Sequence, residues 1–149
     1  MAAILLVTHA PLAASLLEVA RHVYPDCSGG LAGVDIAAGA SPAEAQAQIR
    51  AAIDTLRATE VLILADVFGA SPCKAALAVA DGVHTRVVAG VNVPMLWRVL
   101  CYFHVPLDEL VTRAVDGGVQ GVMQVGVPRL QNQALQPVID DQVQHQHQQ

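Results

Sequence analysis

Aromatic side chains make up only 3% of this 149-residue chain and charged ones 14%, and acids outnumber bases to leave a formal net charge of −5 at pH 7. With neither an arginine-rich stripe nor interleaved aromatic rings, the chain has nothing to grip a phosphate backbone, so nucleic acid is not an expected partner. Cysteine is scarce as well. Cys27, Cys73 and Cys101 are odd in number, widely spaced and form no CxxC pair, which fits reduced thiols better than a disulfide framework. No apolar run approaches the roughly 18 residues that span a bilayer, so no membrane insertion is expected. Met1 to Leu17 is apolar, yet no Lys or Arg precedes Arg21, and Thr8, His9 and Pro11 interrupt the run, unlike a secretory signal. A cytoplasmic protein is expected. No GxGxxG opens the first helical stretch, which excludes the usual dinucleotide fingerprint.

What is present is apolar surface, 54% of residues, enough for one domain with a full core. Short apolar runs alternate with repeats of helical spacing. Ala3 to Thr8 reads as a strand, and about Pro11 to Tyr24 as a helix burying Leu12, Leu16, Val19 and Val23. Leu31 to Ile36 is a weaker strand. Ser41-Pro42-Ala43-Glu44 is a capping box for a helix with Ala45, Ile49, Ala52, Ile53 and Leu56 on one face. Val61 to Ala65 is the third strand, and Ser71-Pro72 supplies an amino cap and first-turn proline for the third helix. A fourth strand near Arg86 to Ala89 precedes a helix carrying Met95, Leu96, Val99, Leu100 and Phe103. Leu107, Leu110, Val111, Ala114 and Val115 mark a fifth, which Gly117-Gly118 is expected to break.

Such alternation implies an α/β fold with an open, mostly parallel sheet covered by helices on both faces. The first and third strands are the most uniformly apolar and should be central, which gives four strands in the order 2-1-3-4 with right-handed crossovers. Residues 1–120 form the expected domain, and 121–149 an extension with room for an added antiparallel strand before a glutamine-rich tail. His145 and His147 in that tail are read as compositional, not as metal ligands.

His9 closes the first strand and Asp66 the third. Neighbouring parallel strands lie roughly 4.8 Å apart, so the two side chains should meet at the switch point where open α/β sheets bind ligands. A carboxylate on imidazole Nδ1 would fix the tautomer and leave Nε2 as a nucleophile toward phosphorus. Amides at the amino ends of the first and third helices are expected to face the phosphoryl group, with the Thr8 and Ser71 hydroxyls as further donors. No metal and no cofactor are called for. His22, His84 and His104 read as structural or exposed, and Cys73 with Lys74 as a first-turn thiolate lacking a paired base.

Ile4-Leu5-Leu6-Val7-Thr8-His9, Ala65-Asp66-Val67-Phe68-Gly69-Ala70-Ser71-Pro72 and Ala89-Gly90-Val91-Asn92-Val93-Pro94-Met95-Leu96, with Leu107-Asp108-Glu109-Leu110, together resemble the enzyme IIA component of the mannose class (mannose/fructose/sorbose) of the sugar phosphotransferase system. The likeness covers roughly residues 1 to 120. It implies a phosphotransferase working as a carrier, which accepts a phosphoryl group from the histidine phosphocarrier protein HPr and passes it to a IIB component. On matching positions His9 is the phosphorylated residue, Asp66 its orienting partner, and Thr8 and Ser71 phosphate-side donors. A homodimer with an exchanged carboxyl-terminal strand is also implied. This chain differs in having Ala10-Pro11, Ala70 and Lys74 where the family often has glycine and an aromatic, glycine, and a small polar residue. Two other functions fit the same chemistry: a IIA-like subunit of a dihydroxyacetone kinase, and a regulatory module gated by phosphorylation. A receiver domain fits poorly, because Thr8-His9 stands where its acidic pair would follow the first strand.

Overall fold

The computed structural model describes residues 1–129. Strand β1 (Ala3–His9) leads into helix α1 (Leu12–Val23). A short 3-10 turn (Pro25–Gly30) brings the chain to β2 (Leu31–Ile36), followed by α2 (Pro42–Leu56) and β3 (Val61–Ala65). Then come α3 (Ser71–Val79), β4 (Thr85–Ala89), α4 (Val93–Cys101) and α5 (Leu107–Gln120). All pairings are parallel and the strand order is β2-β1-β3-β4, as the apolar pattern predicts.

Period-two alternation divides the sheet between two helical layers. From β1 and β3, Ile4, Leu6, Leu62 and Leu64 pack toward Ala13 and Leu16 of α1, Leu96 and Val99 of α4, and Leu110 of α5. Ala3, Leu5, Val7, Val61 and Ile63 pack on the opposite layer with Ala45 and Ile49 of α2 and Ala75 and Ala76 of α3. Leu5, Leu6, Ile63 and Leu64 are wholly buried, each contributing about 1.5–3 kcal/mol relative to an exposed side chain. The central pair of strands is therefore the least deformable part of the molecule, and its carboxyl ends inherit that rigidity.

Helix boundaries follow local chemistry in part; α4 stops at Cys101, short of Phe103, and of the α1 residues expected to be buried only Leu16 is, with Leu12, Val19 and Val23 exposed. Ser41 and Glu44 form the expected reciprocal capping box, Glu44 N–H to Ser41 Oγ at 3.2 Å and Ser41 N–H to Glu44 Oε2 at 2.9 Å. Ser71 is not the cap of α3: Ala70 holds that position, Ser71 is the first helical residue, and no side chain caps the turn. Gly117-Gly118 does not break α5, which continues to Gln120. A Cβ on Gly117 would lie 2.6 Å from Arg98 Cβ, and one on Gly118 2.7 Å from Met95 Cε, so these glycines let α5 approach α4 closely. Asn92 fastens the same junction, accepting from Met95 N–H at 2.9 Å while its Nδ2 donates to the Gly118 carbonyl at 3.1 Å. Residues 122–129 take neither helical nor strand form. The remainder of the expected added strand and the glutamine-rich tail lie outside the described residues.

Candidate phosphoryl-transfer site

Register places the site. Ala65 pairs with Val7, so Asp66, one residue further, comes level with the end of β1. Behind it the loop after β4 closes on the same strand end: Val91 N–H donates to the Ala65 carbonyl at 2.9 Å and Gly90 N–H to the Asp66 carbonyl at 3.1 Å. Gly90 needs its φ of 89° to make that turn, a conformation that side chains with a Cβ resist. The Asp66 backbone is thereby held while its side chain points along the sheet edge to β1.

The Asp66 carboxylate accepts three hydrogen bonds. Oδ2 takes the His9 backbone N–H at 2.8 Å and lies 2.6 Å from His9 Nδ1, and Oδ1 takes Val67 N–H at 2.8 Å. Burial works to raise the Asp66 pKa, but the bonds from the His9 backbone, the His9 ring and Val67 outweigh it, and the net shift is downward. Asp66 is thus an ionised, acceptor-only group near neutral pH, which requires Nδ1 to carry the proton. The free lone pair of the ring is then on Nε2. The His9 side chain is 55% exposed and that of Asp66 12%, so the orienting acid is sheltered and the ring is open to an approaching molecule.

The two strand ends read from the sequence are brought together, while the remaining site residues are arranged differently. Thr8 is wholly buried and belongs to the other layer, because consecutive residues of a strand face opposite ways. Its hydroxyl donates to the His9 carbonyl at 3.0 Å, with Asp35 Oδ1 3.5 Å away. It cannot also serve as a donor beside the exposed ring. The first-turn amides of α1 are likewise committed: Ala13 N–H donates to Asp35 Oδ1 at 2.8 Å and Ala14 N–H to Asp35 Oδ2 at 3.2 Å. A carboxylate already sits where the sequence suggested that α1 would greet a phosphate. That leaves α3, whose first turn carries no side-chain cap. Ser71 is exposed there, and its hydroxyl makes no hydrogen bond among the described residues.

Asp35 escaped the sequence reading because its partners are 22, 21 and 27 positions away and no local cap pattern announces it. The available signal was an isolated acid in an otherwise apolar strand, opposite Thr8 in a parallel register. Ser71 and Lys74 share a recess of about 220 Å³ with Ser41, Pro42, Ala45 and Gln46, between the amino ends of α2 and α3. Ala45 and Ala75, which line it, belong to the same layer as Ala3, Leu5 and Val7, the column of β1 side chains that His9 ends. A recess of about 390 Å³, lined by residues including Met1, Cys27, Arg57 and Phe103, sits at the start of β1 and so at the opposite end of the sheet. Cys73 is buried, which removes it as a reactive thiol. His22, His84 and His104 are exposed, and His84 lies 3.3 Å from Asp81. Among the described residues no group of three or more His, Cys, Asp or Glu is placed to hold a metal ion.

Residues 3–115 match the family described as EIIA-man, PTS system fructose IIA component. The chain belongs to this family. Its IIA sequence is 35% identical over 124 residues to the PTS system mannose-specific EIIAB component of Escherichia coli strain K12, an alignment covering 80% of this chain and 38% of that protein. The chain thus spans well under half the length of the curated relatives it matches. The mannose/sorbose specific IIA subunit of the phosphotransferase system from Enterococcus faecalis superposes with a TM-score of 0.77 at 26% identity, covering 87% of this IIA chain and 98% of the other. Phosphotransferase system component EIIA from Streptococcus agalactiae has the same fold, with a TM-score of 0.74 at 19% identity over 83% of this chain and 97% of its own. As a IIA component this chain is of the phosphocarrier class of the sugar phosphotransferase system. No helix among its described residues is long and apolar enough to cross a membrane.

Proposed function

We propose that this IIA protein carries a phosphoryl group on His9 Nε2, accepting it from an HPr-type phosphocarrier and passing it to a IIB component. The observation that carries the reading is the 2.6 Å contact between His9 Nδ1 and Asp66. It commits one ring nitrogen to the carboxylate and leaves the other on the open side. Nε2 attacks phosphorus in line, the P–N bond to the donor's histidine breaks, and the electron pair of that bond returns to the donor ring. The positive charge that develops on the His9 imidazole is balanced by Asp66. In the second half the Nε2–P bond breaks toward the acceptor, and His9 regains its lone pair.

Electrostatics supports a loosely held phosphoryl group. It brings about two negative charges next to an ionised Asp66, and α1 is already neutralised by Asp35. Ser71 and the open first turn of α3 supply the remaining donors. Val67 and Phe68 are 50% and 79% exposed and directly follow Asp66, so an apolar contact surface flanks the ring, as protein partners at both ends of the transfer require. We place the protein in the cytoplasm, where such partners are found, and propose that it works as a homodimer. β4 is an edge strand, and Val119, Val122, Met123, Val125 and Val127 beside it or just beyond α5 are exposed, a combination that favours pairing with a second copy.

The test is incubation with phosphoenolpyruvate, enzyme I and HPr. One acid-labile, base-stable phosphate should appear on His9, His9→Ala should take none, and a cognate IIB protein should remove the label. Label that persists in His9→Ala would sink the assignment.

A further inference from the structure

Beside His9, on the α1 layer of the sheet, a second carboxylate is built into the fold. Asp35 stands opposite Thr8 in the parallel register of β1 and β2, and its two oxygens reach Ala13 N–H, Ala14 N–H and the neighbourhood of the Thr8 hydroxyl. Pro11, at the cap position of α1, offers no side-chain hydrogen bond, so Asp35 caps the helix from a neighbouring strand. Thr8 is the only wholly buried polar side chain among the described residues, and a buried hydroxyl is tolerated only when bonded. Its 3.0 Å bond goes to the carbonyl of His9.

The peptide of His9 is therefore gripped from two sides. Its N–H enters Asp66 Oδ2, its C=O receives the Thr8 hydroxyl, and the next amide, Ala10 N–H, is held by the Ile36 carbonyl at 3.1 Å. The ring can meet Asp66 at 2.6 Å only while that backbone stays fixed. Nucleophilic transfer depends on placement at this level, since a displacement of about 1 Å can cost on the order of 10²-fold in rate.

We propose that Asp35 is a positioning residue for His9, acting through its hydrogen bonds to the first turn of α1, while the Thr8 hydroxyl holds the His9 carbonyl separately. The proposal rests on the reading of His9 as the phosphoryl acceptor. Asp35 touches neither ring nor phosphate. Its work is to lock β1, β2 and α1 at the point where His9 emerges, and to quench the positive end of α1 so that the phosphoryl group is not drawn to the wrong layer.

The experiment uses the full chain with Thr8→Val, Thr8→Ser, Asp35→Asn, Asp35→Ala and the double variant Thr8→Val/Asp35→Ala. Two readouts are taken: the His9 ring Nδ1–H resonance by ¹H–¹⁵N NMR, and the single-turnover rate of His9 phosphorylation by phosphoramidate, which needs no protein partner. Thr8→Val, nearly the same shape as threonine, should shift or broaden the Nδ1–H signal and slow phosphorylation about tenfold at saturating donor, with half-saturation unchanged. Thr8→Ser should restore both. Asp35→Asn should fall between wild type and Asp35→Ala, and the double variant should be slower than either single variant, as expected of two separate holds on one segment. Folded variants that lose stability yet keep the wild-type ring signal and rate would overturn the proposal and leave Asp35 a helix cap only. A changed half-saturation with an unchanged maximal rate would overturn it too. If wild type takes no phosphate from any donor, the reading of His9 fails, while the ring resonance still decides whether Asp35 positions it; should Asp35→Ala not fold, Asp35→Asn carries the test.

Discussion

At the scale of single residues, the chemistry is concentrated in one oxygen atom, Asp66 Oδ2, which binds both the backbone and the ring of His9. Asp66→Asn replaces an ionised acceptor by an amide that can present a donor to Nδ1, favouring the tautomer with its lone pair on the wrong nitrogen. Phosphorylation of His9 should slow by about 10²-fold or more, measured as single-turnover label uptake, with the far-UV spectrum unchanged. A pH dependence follows from the downward shift of Asp66. A group whose folded pKa is depressed contributes stability that is fully present above its unfolded value, about 3.9, and lost as pH falls through the folded value. The contribution of the Asp66 carboxylate to the gap in urea midpoint between wild type and Asp66→Asn should thus be lost as pH falls below about 4. The pairing of His9 with Asp66 was legible in the sequence because each follows an apolar run that belongs in the middle of the sheet. The orientation of Thr8 was not: adjacency to His9 suggested a shared task, whereas strand geometry turns adjacent side chains to opposite layers.

At the scale of elements, the helix pair α4 and α5 is set by small residues. Gly117→Ala raises helix propensity by up to about 1 kcal/mol, but its Cβ would meet Arg98 Cβ at 2.6 Å and Cγ at 2.9 Å, atoms too near the backbone to swing aside. Overpacking of this kind costs about 1–3 kcal/mol. We expect Gly117→Ala to be destabilised by about 1–2 kcal/mol in urea unfolding, opposite in sign to what propensity alone gives. The same residues explain where sequence reading stops. Ser41 with Glu44 was readable because both halves of that cap lie within one turn. Gly117-Gly118 resembled a helix end because nothing local reveals that another helix lies against it. The cap on α1 was invisible for a related reason, since Asp35 arrives from a different strand. Elements whose signals are local were legible; those whose role is defined by a distant neighbour were not.

At the scale of the whole molecule, strand order followed from composition together with the handedness of crossovers, because only the two uniformly apolar runs can be buried on both faces. The open edge of β4 and the exposed valines beside it are the counterpart of that buried centre. If this edge pairs with a second copy, sedimentation equilibrium should give twice the chain mass, and Val119→Glu with Val122→Glu should return it to one chain mass while label uptake on His9 remains. The imidazole has a further consequence for how the carrier keeps time. With Nδ1 committed to Asp66 there is one doorway to the ring, so on the proposed function whoever delivers cargo must leave before whoever collects it can arrive. Exchange through such a turnstile never assembles all three parties, so double-reciprocal plots at several fixed levels of one partner run parallel, and a surplus of the emptied donor blocks the collector.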